Sequence, residues 1–316
     1  MPTYLSPGLQ GEYCRFLTRD GLELQGLLAR PSRKTASALV HVHGWDGNFY
    51  ENRFIDYAAR TAVKQGLGFF AFNNRGHDYV ADIIRVKRKQ KAEVRRQKSE
   101  GPERFDCVQV GGIYERLADC VPDIQGAFSF LHGHGFRRFI LQGHSHGAIK
   151  AAYYLSETRD PRVTGLVLLS PSDDLALGRQ QMGKRFGTAL GRARRMVRTG
   201  KERQLIPPDL YPYMISAGTF TDCFGPDSIT GMFNLSRTDR REFPELARIR
   251  VPVLMVVGTV EEAFVVSPAE FVRSVREAMT AVPAFEGAVI EGAPHNYLGY
   301  ERRLSGILGR WLARRK

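Results

Sequence analysis

The segment Gly143-His144-Ser145-His146-Gly147 sets a serine between two glycines in the pattern G-x-S-x-G, after the apolar run Phe139 to Gln142 and before a helix-period stretch from Ala148 to Glu157. A turn tight enough to join a strand to a helix there drives the serine side chain out of the backbone path, and the glycines avoid clashes with neighbouring backbone. The first N–H groups of the helix then face any negative charge that forms at the serine. An incidental serine in a glycine-rich turn is the competing reading, and the flanking strand and helix argue against it. A serine hydroxyl is a weak nucleophile until a base takes its proton, and that base needs a carboxylate to hold its tautomer. Both follow in the order serine, acid, histidine. Val253-Leu-Met-Val-Val-Gly258 runs into Thr259-Val260-Glu261-Glu262, and His295 stands just past a last apolar run, as the only histidine after His146. Glu261, three residues beyond Gly258, is the expected acid, with Glu262 as the alternative.

Acyl transfer also needs two donors for a tetrahedral oxyanion, one from the residue after the nucleophile and one from the loop after an early strand. His146 supplies the first N–H. The second is expected from His43-Gly44-Trp45-Asp46-Gly47, at Trp45, where Gly44 lets the backbone approach a substrate. His43, Asp46 and Glu262 are candidate pocket residues.

These residues must be carried by a sheet whose strand ends meet on one side. Short β-branched and aromatic runs alternate with helix-period segments along the chain, the pattern of a mostly parallel sheet with helices on both faces. Cys14 to Thr18 and Leu22 to Ala29 flank Asp20-Gly21 as a hairpin. Strands are expected at Ala38 to His43, Gly68 to Phe72, Phe139 to Gln142, Gly165 to Leu169, Val253 to Val257 and Ala288 to Ile290. Helices are expected at Asn52 to Gln65, Asp119 to Leu131, Ala148 to Glu157, Pro268 to Thr280 and Leu304 to Ala313. More than 80 residues separate Leu169 from Val253, far beyond the usual connection. The expected organisation is a core in two parts, 1–171 and 246–316, with a helical lid at 172–245 and a basic insertion at 79–112.

The 316 residues carry a net charge of +13. Residues 85–104 hold nine basic and three acidic side chains and residues 179–203 nine and one, so the other 271 residues sum to −1. The charge belongs to two insertions and leaves the core almost neutral. Four scattered cysteines show neither metal-ligand spacing nor a disulfide framework. No metal or cofactor is expected, and with neither a signal-like leader nor a long apolar run, the expected location is cytoplasmic, without a membrane span.

In HVHGWDGN, GHSHG, the VVGTVEE strand end and the GAPH segment the chain resembles the α/β-hydrolase superfamily over nearly its whole length. Within that superfamily, ENRFID, NNRGHD, LQGHSHGAIKAAYYL and FGPDS are similar to a lid-bearing subgroup that includes siderophore esterases. The resemblance implies an α/β-hydrolase fold and a triad on Ser145, Glu261 and His295, with Trp45 and His146 as oxyanion donors. The sequence departs from that family where glutamate replaces the commoner aspartate and where His146 replaces an apolar residue.

The first functional expectation is hydrolysis of an ester or related activated acyl bond in a small-molecule substrate, through an acyl-Ser145 intermediate. The alternative is a biosynthetic acyltransferase, thioesterase or cyclase whose basic insertions dock an acidic carrier protein or an anionic, phosphate-bearing substrate. Nucleic acid is not an expected partner, because no helix-turn-helix, zinc-finger or RNP-like pattern accompanies the arginines.

Overall fold

The computed structural model describes residues 10–87, 104–225, 228–233, 243–260 and 262–315. Its centre is an eight-stranded sheet in the order β1-β2-β4-β3-β7-β8-β9-β10. The strands are β1 (Gly11–Leu17), β2 (Glu23–Ala29), β3 (Ser37–Val42), β4 (Gly68–Phe72), β7 (Arg138–His144), β8 (Val163–Leu169), β9 (Val253–Val260) and β10 (Phe285–Pro294). β1 pairs antiparallel with β2, and β2 with β4, while the remaining neighbours run parallel. The central strands β3, β4, β7 and β8 are buried almost throughout, because a parallel sheet is covered on both faces and its strands read as apolar runs.

The helices that cover the sheet are amphipathic. α1 (Arg53–Lys64) buries Phe54, Ile55, Ala58, Ala59 and Ala62 on one stripe, against the side of the sheet also covered by α9 (Glu301–Ala313) through Leu304, Leu308 and Trp311. α2 (Cys120–Gly133), α3 (His146–Thr158) and α8 (Pro268–Ala278) pack on the opposite face with Phe128, Ile149 and Phe271. Pro122 falls in the first turn of α2, where its missing N–H costs no hydrogen bond.

Between β8 and β9 the chain forms α4 (Asp174–Met182), α5 (Phe186–Arg198), α6 (Ala217–Phe224) and the short α7 (Pro244–Ala247). α4 to α6 share a hydrophobic cluster of their own, with Met182, Ala189, Ala193, Met196, Phe220 and Phe224 buried and Phe186, Leu190 and Val197 partly buried against them. The remaining faces of α5 carry exposed Arg192, Arg194, Arg195 and Arg198.

The segment after β4 differs from a bare basic insertion. Ala81–Lys87 (β5) and Arg104–Val110 (β6) pair as an antiparallel ribbon, bound to the β1–β2 turn by the Val86 N–H on the Gly21 carbonyl at 2.8 Å. Its strands are charged at several positions, so the charge density conceals the two-residue alternation. Residues 88–103, which hold six of the nine basic side chains counted over 85–104, lie outside the described residues, as do Pro226 and Asp227 of the FGPDS motif.

Candidate active site

Ser145 sits between the end of β7 and the start of α3 with φ +57° and ψ −130°. A non-glycine residue holds such a conformation only when its surroundings enforce it, and strain of this kind concentrates at functional sites. Here the enforcement is backbone packing: a Cβ on Gly143 would lie 2.1 Å from the Gly147 carbonyl oxygen, and a Cβ on Gly147 would lie 2.3 Å from that of Val42. Ser145 occupies the N-cap of α3, yet its side chain makes no capping hydrogen bond. The hydroxyl is therefore not consumed by the helix it precedes.

The loop after β3 closes on the serine. A Cβ on Gly44 would stand 3.0 Å from the Ser145 Cβ, so the glycine permits this approach. Trp45 is anchored by its indole N–H on the Gly112 carbonyl at 2.7 Å, and its ring centroid lies 6.0 Å from that of His146. The two expected oxyanion donors thus belong to adjacent backbone segments beside Ser145.

His295 follows the end of β10. Its carbonyl accepts a hydrogen bond from His144 Nε2 at 2.9 Å, and the two rings are 4.8 Å apart. Burial holds the His144 imidazole well below its ordinary pKa, so it serves as a neutral donor. Tyr297 braces the same turn, donating to the Val256 carbonyl at 2.7 Å and accepting from the Ser170 hydroxyl at 2.8 Å. Val260, the last residue of β9, pairs with Pro294, immediately before His295. Glu261 lies outside the described residues. Glu262 is exposed.

Two polar side-chain pairs at the site join residues far apart in sequence. His146 donates from Nδ1 to Asp174 Oδ2 at 2.6 Å, which ties the residue after Ser145 to the first turn of α4. Burial would raise the Asp174 pKa, but the hydrogen bond and charge of His146 outweigh it and hold the carboxyl below its ordinary 3.8. Lys150, one turn further along α3, is fully buried and lies 2.6 Å from Glu115. Lys150 was visible in sequence as a lone cation in the apolar run GAIKAAYYL, but nothing there identified its partner.

Asp46 and Asp174 line a cavity of about 250 Å³ with Trp45, Tyr79, Tyr211, Tyr213 and Phe224. Burial raises the Asp46 carboxyl pKa. Among the described residues no arginine or lysine lines this cavity. Larger grooves of about 550 and 610 Å³ run along α5 beside Arg192, Arg195 and Arg198, away from the serine elbow. His43 is not among the cavity residues. It is buried, donates from Nδ1 to the Gly44 carbonyl at 2.8 Å, and accepts the Asn74 N–H on Nε2 at 3.0 Å. The residues after β4 likewise brace turns: Asn73 Oδ1 accepts the Phe49 N–H, Arg75 binds Asp123, and Asp78 takes Asn48 and His77. No cluster suited to a metal ion occurs among the described residues.

Several solved structures share this fold. An esterase of Pyrococcus furiosus is 19% identical, covering 98% of this chain and 95% of its own, with a TM-score of 0.58. Est1E from Butyrivibrio proteoclasticus, solved with ferulic acid bound, is 15% identical over 95% of this chain and 98% of its own, with a TM-score of 0.60. A monoacylglycerol lipase of Paleococcus ferrophilus is 18% identical over 98% and 100%, with a TM-score of 0.56. At such identities the likeness is one of fold. No curated protein matches the sequence. The model of the alpha/beta hydrolase family spans residues 39–304, from β3 into α9 and across Trp45, Ser145 and His295, and the chain belongs to that family.

Proposed function

We propose that the protein is a serine hydrolase that cleaves an ester or related activated acyl bond through an acyl-Ser145 intermediate. The observation that carries this reading is the strained Ser145 backbone at the β7–α3 turn, with the Gly44 loop packed against its side chain. His295 takes the serine proton as Oγ attacks the acyl carbon, and returns it to the leaving group. It then activates the water that releases the acid. Glu261 is the proposed partner of His295, and the Trp45 and His146 N–H groups stabilise the oxyanion. α4 to α6 act as a lid over the cavity. Its aromatic and carboxylate lining favours a neutral or hydroxyl-bearing substrate over an anion, and a siderophore-type ester belongs in the substrate panel on sequence resemblance. Four unpaired cysteines fit a reducing, cytoplasmic setting. Among the described residues no helix is long and apolar enough to cross a membrane.

A fluorophosphonate probe is expected to label the wild type and not Ser145→Ala, with hydrolysis of p-nitrophenyl esters falling by roughly 10⁴-fold or more in the variant. Wild type that neither labels nor turns over any activated ester would sink the proposal. The exposed arginines of α5 support a second reading, in which an acidic carrier protein delivers a thioester. In that case turnover of the carrier-bound substrate falls steeply with salt, whereas a small neutral ester is hydrolysed at a salt-independent rate.

A further inference from the structure

We propose that Lys150 is a positioning residue that presets the oxyanion hole by holding the Gly44–Trp45 peptide in one orientation. The inference rests on Trp45 being an oxyanion donor, and it assigns a role to a buried cation that the acyl-enzyme chemistry leaves unused.

The Lys150 side chain has no exposed surface, and its ammonium lies 2.6 Å from Glu115 Oε1. Two of its other neighbours belong to the loop that faces Ser145, the His43 carbonyl at 3.4 Å and the Gly44 carbonyl at 3.3 Å, and the third, Asn74 Oδ1 at 3.3 Å, belongs to the turn after β4. The Gly44 carbonyl also accepts His43 Nδ1–H at 2.8 Å, and the His43 ring is fixed in that tautomer by the Asn74 N–H on Nε2 at 3.0 Å. Burial, and then the Lys150 charge, hold the His43 pKa well below its ordinary value, so the ring stays neutral and the donor stays on Nδ1.

A trans peptide is planar with its C=O and N–H pointing in opposite directions. Two donors drawing the Gly44 oxygen inward therefore turn the Trp45 N–H outward, toward the cavity that Trp45 lines. A glycine at this position would otherwise let the peptide rotate at little cost, since no side chain opposes it. Glu115 at 2.6 Å pairs with the ammonium, so what Lys150 supplies to the reaction is direction more than net charge.

Lys150→Met removes the donors at nearly constant length. Losing the alignment of one oxyanion donor lowers kcat on the order of 10²-fold, with KM on a p-nitrophenyl ester within threefold of wild type. Affinity for an alkyl boronic acid, which forms a tetrahedral adduct on Ser145, is expected to fall by the same factor. Lys150→Gln, which keeps a donor, recovers part of both. A folded Lys150→Met with kcat within threefold of wild type, or one whose losses only follow its folded fraction, overturns the proposal.

If neither variant folds, the wild type decides by NMR. In the boronate adduct the Trp45 amide proton is expected to move downfield while a ¹³C-labelled Gly44 carbonyl stays in place. A Gly44 carbonyl that shifts means that the peptide turns to meet the oxyanion and is not held in advance. An unmoved Trp45 amide removes the donor on which the inference rests. Wild type that binds neither boronate nor fluorophosphonate at Ser145 refutes the acyl-enzyme reading itself, which is a separate failure.

Discussion

Gly147→Ala isolates how far the nucleophile turn depends on backbone packing. Gly147 has no positive φ, so alanine brings no Ramachandran strain, and it lies in the first turn of α3, where alanine is otherwise the better helix former. What opposes it is contact. The new methyl would lie 2.3 Å from the Val42 oxygen and 2.5 Å from the His43 oxygen, both backbone atoms where β3 enters the oxyanion loop. Reaching an ordinary separation requires a shift of about 1 Å between α3 and that loop, and overpacking of this kind costs about 1–3 kcal/mol. The same shift separates Ser145 from Gly44 and Trp45, and a displacement of about 1 Å lowers rates on the order of 10²-fold.

Gly191→Ala is the internal control, because it makes the same chemical change in α5 where nothing lies within 4 Å of the added carbon. It is expected to stabilise the protein by about 0.5–1 kcal/mol. Urea unfolding followed by tryptophan fluorescence gives the two stability changes, and the rate of fluorophosphonate labelling at full folding gives the activity. A Gly147→Ala protein as stable as wild type and labelled at the wild-type rate would refute the reasoning. So would equal effects at the two glycines, since the prediction is a difference in sign.

Buried neutral histidines set the acid limit of stability. Burial lowers the His41 pKa to about 3, while His43 and His144 also lie well below 6.5. The unfolded chain therefore binds protons that the folded chain refuses as pH falls below about 6.5. Together the three are expected to remove stability progressively as pH falls through that window, read by urea unfolding between pH 6.5 and 5. His41→Asn should lessen the slope by about a third, and an unchanged slope would exclude His41 as a contributor. Asp174 works in the other direction: its depressed pKa contributes stability above the ordinary 3.8 that is lost as pH falls through the folded value. The deficit of Asp174→Asn relative to wild type is thus expected to be large at pH 7 and to shrink below pH 3.8. Tyr297→Phe removes two buried hydrogen bonds, to the Val256 carbonyl, which keeps the Ser170 N–H, and from the Ser170 hydroxyl, a loss of about 1–3 kcal/mol by urea unfolding. The variant is also expected to label more slowly, because the same hydroxyl braces the turn that carries His295.

Much of this architecture was legible along the chain because it is written in local chemistry. Apolar runs with short breaks identified the parallel strands, and the central ones were found within a residue or two of their expected ends. The G-x-S-x-G turn located Ser145, since only a glycine-flanked residue fits that junction. Glu261, placed in sequence by its distance from Gly258, lies where the structure makes no statement.

Other features were legible only in part. The β5–β6 ribbon was hidden by its charge, because lysine and arginine stems can lie along a strand as readily as on a solvated loop. The helical packing stripe after Met182 could be read from its spacing, but the cavity beneath it could not. Asp174 was visible only as a residue near a helix start. Its contact with His146 spans 28 residues, and that of Lys150 with Glu115 spans 35.

Periodicity and turn chemistry act between neighbours, and so the sequence by itself determined the strand–turn–helix that carries Ser145. Which buried charge meets which, and which way the Gly44 peptide faces, depends on elements that approach only when the sheet is assembled. In a low-dielectric interior those pairings carry high energetic stakes, and only the tertiary structure decided them.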